Sequence, residues 1–217
     1  MISDNLKKIK QQLPSHVQLV VVSKFRPIEQ LMEVYDFGLR DFAENRVQEL
    51  LSKYELMPKD IRWHMIGHLQ SNKVKQIAPF IHMIHSVDSI ELAEEINKQA
   101  LKCNRKIPIL LQVHIAQEES KFGFTENELT SVYPALCALS NIEIKGLMGM
   151  ATFTKDENLI MNEFSSLKST FDKIKGIKTT DAKDFQVLSM GMSSDYEIAV
   201  KEGSNLVRIG SKIFELV

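Results

Sequence analysis

The segment QVLSMGMSSDYEIAVKEGSNLVRIGSKIFE, residues 186–215, contains the structural unit that recurs along this chain. A short apolar strand candidate, QVLSMG, is followed by a stretch of helical character. The strand candidate LVRIG and the start of another helix then repeat the order. Short strands that alternate with longer helices predict a parallel sheet, because each strand must return across the sheet through its helix.

The same alternation extends upstream through most of the chain. The further strand candidates are QLVVVSK, DFAEN, RWHMIG, HMIHSV, IPILLQVHI and IEIKGLMGM, which brings the number to eight. Eight strand–helix units favour a closed (β/α)8 TIM barrel over an open doubly wound sheet, which the alternation would also fit. Leu6, Ile9 and Leu13 predict an extra N-terminal helix before the barrel. No linker divides the chain, so we predict a single domain over residues 1–217.

Composition excludes several classes of function. The formal net charge of −1 gives no overall electrostatic attraction to a polyanion, so we expect no nucleic-acid partner. No apolar run approaches the roughly 20 residues that a membrane span needs, and the N-terminus has no signal-peptide core. Two cysteines are too few for a disulfide framework and suit a reducing compartment. We therefore expect a cytoplasmic monomer that does not bind membranes.

Lys24 ends the first strand candidate, QLVVVSK. It shares strand parity with Val20 and Val22, so its side chain should point to the same side of the sheet. An ammonium on that side is costly to bury without a partner. Functional residues of TIM barrels collect at the C-terminal ends of strands, which makes Lys24 a candidate for ligand binding.

The last strand candidate predicts an inward arginine beside an anion site. Leu206, Arg208 and Gly210 share one face, and the structural alternative for Arg208 is an ion pair with Glu44. Gly210 and Ser211 open the last helix, where free N–H groups and a hydroxyl suit a phosphate. TIM barrels frequently bind phosphate after strands seven and eight, which is where these residues fall.

Strand seven is also followed by a helix that begins with serine residues. Ser194 and Glu197 have the spacing of a capping box, which would leave Ser193 free to donate to a ligand.

Lys24, Arg208 and the phosphate site would be neighbours in a closed barrel. Lysine amines form Schiff bases with carbonyl ligands, and pyridoxal 5'-phosphate (PLP) carries an aldehyde, a phosphate and a ring nitrogen. Arginine can only donate, so it would hold a facing pyridine nitrogen unprotonated.

The motifs VSKFRP, FAENRVQEL, WHMIGHLQSNK, HSVDS, GLMGM and LSMGMSSDYEIAVKEGSNLVRIGSKIFE resemble those of the pyridoxal-phosphate homeostasis protein family. Members of that family resemble the barrel domain of alanine racemase. The resemblance implies a fold-type III PLP-binding barrel that buffers or delivers the cofactor, with PLP-dependent apo-enzymes as recipients. It implies an internal aldimine on Lys24, Arg208 at the pyridine nitrogen and Asn45 on the ring side. It places these residues at the phosphate: Ser193, Gly210 and Ser211.

The chain departs from the family pattern at four positions. Ala43 replaces a usual glycine, His68 a proline, His114 an asparagine and Ser211 a threonine. Ser211 keeps the hydroxyl, whereas Ala43 and His114 affect the expected details of the ring pocket.

Two enzymatic alternatives remain: an amino-acid racemase and a Schiff-base aldolase acting on a sugar phosphate. Arg208 fits a pyridine nitrogen better than a sugar. Racemisation needs an acid/base group on each face of the cofactor, and in alanine racemases, as the resemblance has it, a C-terminal domain supplies a tyrosine. The few residues after Ser211 leave no room for one, and the four tyrosines fall in helical segments. We therefore expect a non-enzymatic carrier of the cofactor with weak or no racemase activity, and no catalytic residues.

We also expect no metal site. His64 and His68 are four residues apart but are separated by Gly67 in a strand-like run, so they do not share one helical face. His82 and His85 should point opposite ways, with no carboxylate arranged around them.

Overall fold

The computed structural model describes residues 1–118, 122–177 and 184–215. Its parallel strands close into a barrel in which each strand pairs with the next and β8 pairs with β1. The strands are β1 Gln18–Val22, β2 Asp41–Glu44, β3 Arg62–Met65, β4 Met83–Val87, β5 Ile107–Gln112, β6 Ile142–Met148, β7 Val187–Ser189 and β8 Leu206–Ile209. The predicted (β/α)8 barrel is therefore confirmed.

Helices connect the strands and cover the outside of the barrel. They are α1 Ile2–Gln12, α2 Ile28–Asp36, α3 Val47–Leu56, α4 Val74–Ile77 after a 3-10 turn at Ser71–Lys73, α5 Ile90–Lys102, α6 Glu126–Cys137, α7 Glu157–Lys175, α8 Tyr196–Lys201 and α9 Ser211–Phe214. None of the helices in the described ranges is long and apolar enough to cross a membrane.

The predicted N-terminal helix α1 is present and supports the end of the chain. Leu6 and Ile9 are buried, which is the amphipathic pattern that the sequence predicts. The amide of Asn5 donates to the carbonyl oxygens of Ile213 (3.1 Å) and Glu215 (3.2 Å). Helix α1 thus holds α9, the element that carries Ser211.

The two faces of each strand have different surroundings. Outward side chains join the helices in one large apolar core that runs around the barrel. The barrel interior holds two small apolar clusters, one of Val20, Ala43 and Leu206 and one built around Met83, Leu110 and Met148. Buried polar side chains occupy the interior beside these clusters, among them His64, His85, Ser189 and Arg208. Buried polar groups need hydrogen-bond partners, and these four side chains contact one another.

Candidate functional site

A cavity of about 530 Å³ opens at the C-terminal ends of the strands. The structure brings all the predicted ligand-binding residues to its wall: Lys24, Asn45, Ser193, Arg208, Gly210 and Ser211. They come from the ends of β1, β2, β7 and β8, which are distant in sequence and become neighbours because the barrel closes. What each of them binds stays a prediction at this point.

Lys24 lies in a tight turn directly after β1. The Ser23 amide continues the strand by donating to the Ala43 carbonyl (3.0 Å), and Phe25 then adopts a left-handed backbone with φ of 62°. The side chain of Lys24 is exposed at the cavity and makes no hydrogen bond or ion pair with any described residue. Its amine is therefore available to a ligand.

A buried ion pair supports this turn from behind. One carboxylate oxygen of Glu44, Oε1, accepts from the Ser23 hydroxyl (2.6 Å) and from the Lys53 ammonium (2.6 Å). Lys53 also donates to the carbonyl of Ser23 at 2.7 Å. Burial raises the pKa of Glu44 even though Lys53 and Ser23 act in the opposite direction. These contacts tie the residue before Lys24 to helix α3.

Arg208 points into the barrel beneath the cavity, as the sequence predicts. Its Nη1 donates to Oγ (2.6 Å) and to the carbonyl (2.9 Å) of Ser189, and its Nη2 donates to the Gly149 carbonyl (3.0 Å). The alternative of an ion pair with Glu44 is wrong, because Glu44 faces Lys53 on α3. Burial lowers the pKa of Arg208 to about 10, which still leaves the guanidinium charged at neutral pH.

The β7–α8 and β8–α9 loops meet at Ser193. Its Oγ accepts from the backbone N–H of Gly210 (3.2 Å) and more weakly from that of Lys212 (3.5 Å), so its own hydroxyl hydrogen can still donate. The predicted capping box of Ser194 and Glu197 is wrong: α8 begins at Tyr196, one residue beyond Asp195. The Asp195 carboxylate instead accepts from the Met192 N–H at 2.6 Å, and Asp195 is the residue directly before α8.

The same two loops present donors to the cavity. Ser194 and Ser211 both line it, and within the described parts of the chain their backbone N–H groups donate to no protein acceptor. The hydroxyls of Ser193 and Ser211 lie in the same wall. Unpartnered N–H groups and hydroxyls from two loops fit an anion such as a phosphate.

Asn45 also lines the cavity, at the end of β2. Its side-chain oxygen Oδ1 is buried and accepts no hydrogen bond from any described residue, which is unusual for a buried polar atom. Gly67 lets the β3 loop approach closely here, because a Cβ at this position would lie 2.2 Å from the Asn45 carbonyl oxygen. A free amine, a guanidinium, an anion cradle and an orphan acceptor together fit a polar, phosphorylated ring carrying a carbonyl.

Sequence reasoning missed several residues of the cavity. Phe25 and Phe153 stand at its rim with 70% and 87% of their surface exposed, and Ile66 and Met150 add apolar wall. The positive φ of Phe25 has no sequence signal, and Phe153 lies in a loop without a strand or helix pattern.

The four departures from the family pattern fall in different places. Ala43 packs with Val20 and Leu206 inside the barrel, below the cavity. His114 does not line the cavity; its Nε2 lies 2.8 Å from the Ala116 carbonyl oxygen. His68 stacks on Phe122 outside the cavity, and Ser211 alone lies in the cavity wall. The departures therefore leave the cavity wall almost unaltered.

The histidines do have a carboxylate beside them, contrary to the sequence-based expectation. His64 Nε2 lies 3.1 Å from Asp41 Oδ1, and the rings of His82 and His85 each lie 5.1 Å from the His64 ring. The two outer rings meet His64 because His82 lies just before β4 instead of within it. Both carboxylate oxygens of Asp41 accept from the Arg62 guanidinium, a cation that opposes a metal ion at the same position. The absence of a metal site stays a prediction.

The family model described as alanine racemase, N-terminal domain, matches residues 1–216. The chain is 37% identical to the pyridoxal phosphate homeostasis protein of Aquifex aeolicus over 202 residues, which is 91% of this chain and 86% of the relative. It is 38% identical to the protein of that name from Schizosaccharomyces pombe over 205 residues, 92% of this chain and 84% of the relative.

Solved structures agree with these relatives. PipY of Synechococcus elongatus, solved with PLP bound, superposes with a TM-score of 0.90 at 33% identity, over 99% of this chain and all of that one. Alanine racemase of Clostridium difficile superposes with a TM-score of 0.77 at 16% identity. That superposition spans this whole chain but 56% of the racemase, and it shows a shared barrel fold.

Proposed function

The chain belongs to the pyridoxal phosphate homeostasis protein family, whose barrel is of the alanine racemase N-terminal type, and from this premise we propose that it binds PLP in the cavity at the C-terminal ends of its strands. Its role is the intracellular homeostasis of that cofactor. One observation carries the assignment of the site: a lysine with no partner among the described residues, a buried guanidinium and two donor-bearing loops line a single cavity.

Each group of PLP has a counterpart in this wall. PLP supplies an aldehyde that condenses with a primary amine, with loss of water, to form a carbon–nitrogen double bond. Lys24 is the amine, since its side chain has no other partner among the described residues. Arg208 faces the ring nitrogen, and Asn45 borders the ring with its orphan oxygen.

The phosphate lies between the β7–α8 and β8–α9 loops. Ser193 and Ser211 donate their hydroxyls to it, and the cavity side of Gly210 stays free of side-chain atoms. A Cβ at Gly210 would also lie 3.0 Å from the carbonyl oxygen of Val22, so a larger residue would disturb β1 just before Lys24. The phosphate site and Lys24, the residue to which the cofactor would attach, thus follow adjacent strands, β8 and β1.

The relatives are named for homeostasis of the cofactor and not for a reaction. We propose that this chain likewise binds PLP without turning over amino acids. Arg208 can only donate to a ring nitrogen, which keeps that nitrogen unprotonated and weakens the ring as an electron sink. The tyrosines Tyr35, Tyr54, Tyr133 and Tyr196 lie on helices, and none lines the cavity.

The proposal extends to how the protein works in the cell. It acts as a cytoplasmic monomer that buffers PLP and passes it to apo-enzymes that depend on it. The open rim of the cavity, with Lys24 accessible to solvent, supports exchange of the cofactor.

Reductive labelling tests the site. Borohydride treatment of the PLP-loaded protein should fix the cofactor to the peptide that contains Lys24. Lys24→Ala should abolish the label and leave weaker binding through the phosphate. Lys212→Ala is the matched control, because Lys212 directly follows Ser211 in sequence, does not line the cavity and pairs with Glu197; it should keep the label. Label on Lys212 or Lys73 in the unaltered protein would refute the assignment.

A further inference from the structure

A row of buried polar side chains crosses the barrel interior from the cavity to the opposite end. From Arg208, contacts run to Ser189 Oγ (2.6 Å), from Ser189 to His85 Nδ1 (3.3 Å), and from His85 Nε2 to His64 Nδ1 (2.9 Å). His64 Nε2 then reaches Asp41 Oδ1 at 3.1 Å. The row joins strands β8, β7, β4, β3 and β2, and it is almost completely buried.

The chemistry of its two ends sets the direction of every hydrogen bond between them. Arg208 has donors only, so the Ser189 oxygen must accept from it. An ionised carboxylate has acceptors only, and contacts from Arg62 and His64 hold the pKa of Asp41 well below its usual range despite its burial. His64 must therefore carry a hydrogen on Nε2.

The three groups in the middle then have one consistent arrangement. The Ser189 hydroxyl, having accepted from Arg208, donates to His85 Nδ1. His85 carries its hydrogen on Nε2 and donates to His64 Nδ1, and His64 donates onward to Asp41. Burial holds the pKa of His85 well below its ordinary value, in agreement with a neutral ring. Each neutral imidazole thus has one donor and one acceptor, and both are used.

The reverse arrangement fails at the serine. If His85 donated through Nδ1, the Ser189 oxygen would accept from two donors and its own hydrogen would lack an acceptor. That arrangement also requires His64 to carry hydrogens on both nitrogens. Buried donors without acceptors cost free energy, so the order from Arg208 to Asp41 is preferred.

We propose that Asp41, His64, His85 and Ser189 are positioning residues for Arg208. They form a one-way hydrogen-bond relay that orients the guanidinium toward the cavity and places its counter-charge at the far end of the barrel. The structure supplies a reason for such a device: among the described residues, Arg208 contacts only neutral acceptors, two carbonyls and a hydroxyl. The link between the relay and the cofactor rests on the proposed function; the relay itself does not.

Two titratable side chains, Arg62 and His82, lie beside the relay at its Asp41 end. Arg62 holds the Asp41 carboxylate with two hydrogen bonds of 2.7 Å and 2.6 Å. His82 contacts the edge of the His64 ring, and burial lowers its pKa to about 4, so it adds no charge near neutral pH. At the cavity end of the relay, the negative charge of Asp195 favours the charged form of Arg208.

The first test uses cofactor-free protein, so it does not depend on PLP binding. Long-range ¹H–¹⁵N NMR spectra of the imidazoles distinguish the two neutral tautomers from each other and from the doubly protonated ring. Near neutral pH, both His64 and His85 should be neutral with hydrogen on Nε2. A hydrogen on Nδ1 of either ring, including a doubly protonated His64, would overturn the one-way relay.

The second test asks whether the relay acts on Arg208. In His85→Leu, Ser189 loses its acceptor, so the separate guanidinium NMR signals of Arg208 should merge as the group rotates faster. His85→Gln restores one acceptor and one donor and should keep them separate. His82→Leu is the control, since His82, like His85, lies against the His64 ring but makes no hydrogen bond in the relay. Equal Arg208 spectra in His85→Leu and His82→Leu would refute the positioning role.

PLP titration gives the third readout. Affinity should fall on the order of tenfold in His85→Leu, with a shifted visible band, and should recover in His85→Gln. An affinity in His85→Leu equal to that of the His82→Leu control would refute the link to the cofactor. Failure of the unaltered protein to bind PLP would instead refute the proposed function and leave the NMR result on the relay standing.

Discussion

Replacing Lys53 with methionine isolates the buried ion pair behind the lysine turn. Methionine keeps most of the apolar stem of lysine and removes the ammonium. The Glu44 side chain is fully buried and would lose the 2.6 Å contact with Lys53, and the Ser23 carbonyl would lose its 2.7 Å contact. Among the residues that the structure describes, only the Ser23 hydroxyl would still donate to the carboxylate.

The expected cost is large for a single substitution. Removing one partner of a buried ion pair destabilises a protein by about 3–5 kcal/mol, because the other charge stays buried without compensation. In chains of this size, each kcal/mol lowers Tm by about 2–4 °C, so the variant should melt about 6–20 °C below the parent.

The pH dependence has a definite sign. Burial raises the pKa of Glu44 in the folded protein, and loss of Lys53 raises it further. The protonated form of Glu44 is then favoured by folding. The stability that protonation of Glu44 contributes is fully present below the pKa of an unfolded glutamate, about 4.3. It is lost as the pH rises through the higher pKa of Glu44 in the folded protein. Lys53→Met should therefore be much closer to the parent at about pH 4 than at about pH 8.

Chemical denaturation at both pH values measures the effect. Adding Glu44→Gln to Lys53→Met removes the uncompensated charge and should recover most of the loss. Lys173→Met is the matched control, because its ion pair with Glu126 is about half exposed and should contribute no more than about 1 kcal/mol. A loss in Lys53→Met that is as small as in the control, or that does not grow with pH, would refute the reasoning.

Two further predictions concern the ligand. Ser193→Ala combined with Ser211→Ala removes two hydroxyl donors of about 1–3 kcal/mol each, so the dissociation constant for PLP, measured by equilibrium dialysis, should rise by one to several orders of magnitude; an unchanged constant would place the phosphate elsewhere. Incubation of the PLP-loaded protein with alanine or serine in heavy water should show no catalytic exchange at Cα, and inversion at rates on the order of 1 s⁻¹ or faster would establish a racemase instead.

Much of the fold could be predicted because its signals are local. Segments such as QLVVVSK and IPILLQVHI are short, apolar and rich in β-branched residues, and amphipathic helices separate them. This order requires parallel strands, and eight of them close a barrel. The strand candidates all proved to be strands; β4 ends at Val87 as predicted, and the other seven end one to three residues earlier than predicted, as at Val22 and Gln112. Residues at strand ends curve away from the ladder to line the cavity.

The site could be predicted where it depends on strand parity and on position at a strand end. Lys24, Arg208 and the two loop serines follow from these rules, and the structure brings them together. The capping box failed because it was inferred from spacing alone, whereas a competing contact from Asp195 to Met192 sets the start of α8. The family resemblance supplied the ligand, which spacing and parity do not identify.

The sequence alone determined the order of strands and helices, the inward direction of Arg208 and the position of Lys24 at the end of a strand. Only the tertiary structure decided which partners meet: Glu44 with Lys53 instead of Arg208, and Asp41, His64, His85 and Ser189 in one row. The contacts of Asp41, His64, His85 and Ser189 join residues on different strands that are 21 to 104 positions apart, whereas Lys53 lies nine positions after Glu44 on α3. The tilt and stagger with which a barrel closes set which interior side chains share a level, and no local pattern encodes that stagger.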